Sequence, residues 1–155
     1  MEHQHHNRPP ISFEGEQVAL GPLRRDLIPT YHRWHNDVAA SRTYDLPLPT
    51  TLEQEEAAFG ELSTARNMTF FTIYDRASWQ AIGATYLTDI DHRHRRAEFG
   101  ILIGEESCRD RGFGAEAATL MLDFAFTVLG LHNVMLTVYE FNLAGRRAYE
   151  KAGLR

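Results

Sequence analysis

With 155 residues, 43% hydrophobic and 24% charged, the chain has the size and composition of one globular domain and is too short for two. Its formal net charge of −5 argues against a nucleic-acid binder, which carries a basic excess on at least one face, and no apolar run approaches the roughly 20 residues needed to cross a membrane. The single cysteine, Cys108, excludes an internal disulfide and, with no apolar stretch of signal-peptide type near Met1, sets the expected location as the cytoplasm.

Residues 1–14 read as a disordered tail, and 15–155 as the folded domain. His3, His5 and His6 lie in that tail with nothing to orient them, so no metal site is expected. Residues 17–23 alternate as a first strand, and Asp26 opens a helix with Leu27, Tyr31 and Trp34 at helical spacing. A second helix is expected over 52–64. Between them, Pro47 and Pro49 make 44–49 irregular, a loop suited to shaping a pocket. Residues 68–74 and 81–88 are β-branched and aromatic strands, and 95–103 follows after the turn His92-Arg93-His94-Arg95-Arg96, which reads as a solvated hairpin tip. Three antiparallel strands result.

From Phe113 to Leu129 the period becomes helical. Glu116, Thr119, Asp123 and Thr127 form a narrow polar stripe on an otherwise apolar cylinder, so this helix should lie buried against the sheet until Gly130 stops it. Val134, Leu136 and Val138 make a further strand, and 142–152 a last helix. The whole is a mixed α/β domain with a mostly antiparallel sheet.

Between the apolar strand 97–103 and the long helix stands Arg109-Asp110-Arg111-Gly112-Phe113-Gly114-Ala115, a basic turn punctuated by glycines. Glycine permits backbone angles closed to other residues and close approach of a ligand, and the helix behind it contributes uncapped amides and a positive dipole end. Its natural guest is an anion such as a diphosphate. Gly112-Phe113-Gly114-Ala115-Glu116-Ala117 also matches the dinucleotide pattern G-x-G-x-x-A, but too little chain follows to build a doubly wound sheet, and the strands before it form an antiparallel meander.

Arg109-x-x-Gly112-x-Gly114-Ala115 resembles the acetyl-CoA pyrophosphate loop of the GCN5-related N-acetyltransferases (GNAT). Asn142-x-x-Ala144, continuing to Tyr149-Glu150-Lys151-Ala152-Gly153, resembles their later motif. Residues 90–99 and 121–129 are most similar to the branch of ribosomal-protein N-terminal acetyltransferases and spermidine N-acetyltransferase. The resemblance runs from about Gln17 to the end of the chain. It implies the GNAT fold and acetyl transfer from acetyl-CoA to a primary amine by direct attack.

It also implies site residues. The amides of Arg111, Gly112, Phe113, Gly114 and Ala115 would hold the pyrophosphate, with Arg109 at the loop entrance, and Ile101, Leu102 and Ile103 would pair with the pantetheine arm on a splayed strand edge. Asn142 would contact the cofactor and Tyr149 would protonate the departing thiolate. Seven residues apart, these two share a helix face about 10 Å apart along the axis. Glu98 is conspicuous as a lone carboxylate in an apolar strand; partial burial would make it a base for the amine, and a cross-strand ion pair is the other reading. Cys108 reads as a small structural residue, since direct transfer needs no acyl carrier.

The acceptor is expected to be either a peptide N-terminus, which needs an open groove, or a polyamine-like small amine, for which Glu53, Glu55 and Glu56 are candidate carboxylates; as a solvated helix start they need no ligand. Family members continue past the last helix into two further strands, whereas this chain ends at Arg155. The cofactor half of the site is therefore expected to be complete and the acceptor half incomplete, unless a second subunit in a homodimer provides the wall. Weak or absent turnover with retained coenzyme A binding follows from that expectation, and a non-catalytic coenzyme A-binding module is the alternative reading.

Overall fold

The computed structural model describes residues 8–38 and 49–135. The strand positions Leu136 and Val138, the last helix with Asn142 and Tyr149, and loop residues 44–48 lie outside the described residues. In chain order the elements are β1 (Phe13–Glu14), β2 (Val18–Pro22), a 3₁₀ turn (Arg25–Leu27), α1 (Ile28–Asn36), α2 (Leu52–Thr64), β3 (Thr69–Asp75), β4 (Gln80–Asp91), β5 (Arg96–Ile103), a second 3₁₀ turn (Glu106–Cys108), α3 (Phe113–Asp123) and β6 (Asn133–Met135). The sheet is ordered β1-β2-β3-β4-β5-β6, antiparallel throughout except for the parallel pair β5–β6.

Alternation along the strands divides the side chains between two faces. Val18, Leu20, Phe71, Ile73, Ile82, Leu87, Ala97 and Phe99 form the larger core with Phe113, Ala117, Ala118 and Met121 of α3. That burial agrees with the apolar circumference of the helix. The opposite face carries a smaller cluster of Tyr74, Ala81 and Leu102 beneath Tyr31 and Trp34 of α1. The α2 helix starts in a reciprocal capping box: Thr51 Oγ1 accepts from Gln54 N at 3.1 Å, while Gln54 Oε1 accepts from Thr51 N at 2.8 Å.

Three features differ from the sequence reading. Residues 8–14, expected as part of the tail, are tied to the sheet: Phe13 and Glu14 pair with Leu20 and Ala19, Arg8 pairs with Glu14, and the Phe13 ring packs on Phe71 and Phe124 at 5.5 and 5.2 Å. A two-residue strand is too short to carry a periodic signal. The long helix is α-helical only to Asp123 and closes through a π turn over Phe124–Val128, leaving Phe126 44% and Val128 63% exposed instead of buried. Gly130, at φ +66, ends it as expected, with Leu131 N donating to Ala125 O at 2.9 Å. Finally, Asp26 sits in a 3₁₀ turn, and the α-helix begins at Ile28, with Pro29 in its first turn where a missing N–H costs nothing.

The basic segment 92–95 is the tip of the β4–β5 hairpin, as read from the sequence. Asp91 organises it, accepting from Arg93 N and His94 N at 3.0 Å each. Among the described residues no helix is long and apolar enough to cross a membrane.

Candidate active site

The glycine turn has the backbone that its sequence demands. Asp110 (φ +59) and Gly112 (φ +84) are both left-handed, and Gly112 is the N-cap of α3. With no side chain at Gly112 there is no side-chain cap. Helix geometry leaves the first-turn donors without intrahelical partners, and among the described residues no acceptor takes the N–H groups of Arg111, Gly112, Phe113, Gly114 or Ala115; the first helical bond there is Glu116 N to Gly112 O at 3.2 Å. Five amides thus surround the positive end of a mostly apolar helix, a donor set that fits an anion.

The two arginines of the turn do different things. Arg109 folds back onto the end of β5, where Nε donates to Ile103 O at 3.1 Å and Nη2 to Gly104 O at 3.3 Å, and its guanidinium lies 3.8 Å from Asp37. It braces the loop that carries the turn. Arg111 is exposed, with its guanidinium 4.8 Å from the Phe113 ring centroid. Of the two, only Arg111 lines a cleft of about 770 Å³, which is bounded also by Glu16, Gln17, Asp75, Arg76, Ala77 and Phe113. Arg76 and Gln17 were not found by sequence reasoning, because they sit on hairpin turns brought to the helix start by sheet register alone.

Glu116 holds that cleft in shape. From the first turn of α3 its carboxylate accepts from Glu16 N at 2.6 Å, from Gln17 N at 2.8 Å and from Val18 N at 2.9 Å, so the β1–β2 turn is fastened to the helix beside the amide cluster. The sequence showed Glu116 as the start of a polar stripe; its partners, about a hundred residues earlier, carry no local signal.

Ile101, Leu102 and Ile103 form the last part of β5, paired on one edge with Thr85, Ala84 and Gly83 of β4. On the other edge the described parallel pairing runs from Arg96↔Asn133 to Glu98↔Met135, and residues 99–103 continue past it. Glu98 is exposed, and among the described residues it makes no ion pair. The partial burial expected for it is absent, because its neighbours across the strands are Thr88 and the exposed Met135. Tyr86 faces Gly100 one register step away on the same side of the sheet.

The loop leading to the glycine turn is anchored electrostatically at Glu105. Burial pushes this carboxyl up, but hydrogen bonds from the Trp34 indole and the Arg33 guanidinium, with the charges of Arg33 and Arg109, outweigh it and hold the group below the ordinary glutamate range. Cys108 is buried beside this loop, in the packed position expected of it. Of the acidic trio on α2, Glu55 is buried and accepts from His35 Nδ1 at 2.9 Å, an interhelical contact to α1, whereas Glu53 and Glu56 are exposed. No group of three or more metal-ligating side chains occurs among the described residues.

Residues 17–155 match the acetyltransferase (GNAT) domain family. The chain is 31% identical over 150 residues to human alpha/beta-tubulin-N-acetyltransferase 9, covering 88% of this chain and 72% of that protein. It is 31% identical over 141 residues to spermidine N(1)-acetyltransferase of Escherichia coli K12, with the same two coverages of 88% and 72%. The fold superposes on the crystal structure of spermidine N-acetyltransferase from Vibrio cholerae in complex with CoA and spermine with a TM-score of 0.82 at 26% identity, covering 90% of this chain and 81% of that one.

Proposed function

This chain belongs to the GNAT acetyltransferase family, and from that premise we propose that it moves an acetyl group from acetyl-CoA directly to a primary amine, through a site centred on the Gly112 turn. The observation that carries this reading is the cluster of amides at 111–115, which has no acceptor among the described residues and lies at the dipole end of α3. Charge-assisted bonds of about 1.5–3 kcal/mol each from three or four such amides would supply much of the anchoring of a pyrophosphate. Ile101, Leu102 and Ile103 offer backbone groups to the pantetheine arm, and Asn142 a further contact.

Acetyl-CoA, when bound, brings an activated thioester and a good leaving group. The chain's residues do the rest. Glu98, reached from solvent, takes the proton that the ammonium must lose before attack, and the Tyr149 phenol, an O–H donor, gives its proton to the departing sulfur. Arg109 keeps the loop braced against β5 and takes a positioning role. The acceptor is a polyamine-like small amine or a peptide N-terminus; the names of the relatives give spermidine and tubulin as the acceptors of those proteins.

The test joins binding to turnover. Calorimetry should show coenzyme A binding, and free-thiol release should occur with an amine from a panel of spermidine, spermine and N-terminal peptides. Tyr149→Phe should lower kcat by roughly 10²-fold or more and leave coenzyme A affinity intact. Binding without thiol release for any amine would assign the chain to the non-catalytic coenzyme A-binding modules instead.

A further inference from the structure

The face of the sheet under α1 has two ends of different character. At one end Tyr31, Trp34, Tyr74, Ala81 and Leu102 form a buried cluster. At the other, Phe70 and Tyr86 stack with ring centroids 4.9 Å apart and planes 21° apart, yet they belong to neither buried core cluster and both are only half-buried. They stand directly opposite each other on β3 and β4.

The next strand is shaped to receive this pair. Tyr86 faces Gly100 on β5, and a Cβ at Gly100 would collide with Cζ and the hydroxyl of Tyr86. The ring therefore lies flat across β5, which only glycine allows. One register step further along the same face, Thr88 faces Glu98. Arg96 lies one step beyond, directed toward Asp91 at 4.0 Å. Two aromatic faces and one exposed carboxylate thus follow one another along β3, β4 and β5, beside the part of β5 that precedes Ile101–Ile103.

A stacked aromatic surface ending in a carboxylate recognises organic cations: the ring faces attract an ammonium, and the alkyl chain between charges packs on them. We propose that Phe70 and Tyr86 form the specificity wall for the acceptor, binding an aliphatic amine in its cationic form and passing one ammonium to Glu98, which takes its proton through water and leaves the neutral amine to attack. An acceptor with a second ammonium keeps that charge on the rings while the first reacts. This inference rests on the acetyl-transfer reading of the site.

The test measures KM and kcat for spermidine, and calorimetric binding of coenzyme A and of spermidine to the coenzyme A-loaded protein, in the wild type and in Tyr86→Leu, Tyr86→Phe, Phe70→Leu and Gly100→Ala. The wall predicts that Tyr86→Leu raises KM and weakens spermidine binding by about tenfold, with kcat and coenzyme A affinity changed less than about threefold. Tyr86→Phe, which keeps the ring, should stay near wild type. Gly100→Ala, which displaces the ring without removing it, should behave like Tyr86→Leu, and Phe70→Leu should follow in the same direction, so the outcome does not hang on one variant folding. Unchanged spermidine KM and affinity in the folded variants, with wild-type turnover intact, would overturn the wall alone. A wild type that binds coenzyme A but acetylates no amine would overturn the transfer reading and the wall with it.

Discussion

The indole Nε1–H of Trp34 donates to Glu105 Oε1 at 2.9 Å, joining α1 to the loop that carries the glycine turn, across a separation of 71 residues. Arg33 Nη2 donates to the same oxygen at 2.6 Å, and the Trp34 ring rests on Gly104, where a Cβ would collide with it. The α1 helix and the start of the loop that leads to the glycine turn are thereby one mechanical unit.

Glu105 makes that unit pH-sensitive. Its carboxyl is held below the ordinary value, so the stability it contributes is present above the unfolded-state pKa of about 4.3 and is lost as the pH falls through the lower folded value. Thermal denaturation followed from pH 7 to pH 3 should show Glu105→Gln destabilised by about 1–2 kcal/mol at neutral pH, with the gap to wild type closing in acid. A constant gap across that range would count against the pairing.

Gly112→Ala places a Cβ at φ +84, where it meets only Gln17 Oε1 at an ordinary contact distance of 3.8 Å but the backbone conformation is unfavourable by about 1 kcal/mol. The modest strain shifts the amides out of register, so coenzyme A affinity measured by calorimetry should fall by tenfold or more, while the melting temperature falls by only a few degrees.

Glu116→Gln keeps the shape of the side chain but replaces an oxygen acceptor with a donor opposite three backbone N–H groups. Loss of about 1–3 kcal/mol is expected in urea denaturation. Amide hydrogen exchange at Glu16 and Gln17 should quicken selectively, because the β1–β2 turn loses its fastening to α3.

Glu98→Gln removes the carboxylate without disturbing any ion pair among the described residues, so stability should stay within about 0.5 kcal/mol of wild type. Steady-state thiol release should show kcat/KM lowered by about 10²-fold. Unchanged kinetics would leave the proton to bulk water and remove Glu98 from the site.

Local chemistry made much of this molecule legible in advance. The helix over 52–64 was expected at the bounds it has, and the strands followed from alternation. The glycine turn was given by two glycines set between a strand and a helical period. Burial of α3 followed from its narrow polar stripe, and Gly130 marked its end. The tie of residues 8–14 to the sheet was not legible, because two paired residues and a single aromatic anchor leave no period to detect.

What a side chain faces across the fold was decided only by tertiary structure. Arg109 and Arg111 are alike in sequence, two residues apart in one basic turn, yet one grips the carbonyls at the end of β5, while the other is exposed, lies over Phe113 and donates to Ser107 O at 3.4 Å. Glu98 read equally as a base or as a cross-strand ion-pair partner until the register set it, exposed, between Thr88 and Met135. The chain alone determined which segments form strands and helices and where an anion could be held, since those depend on spacing along the backbone. The environments of Glu98, Glu105, Glu116 and Tyr86 depend on which distant segments meet, and that is set by strand register and helix docking, to which no short stretch of sequence is sensitive.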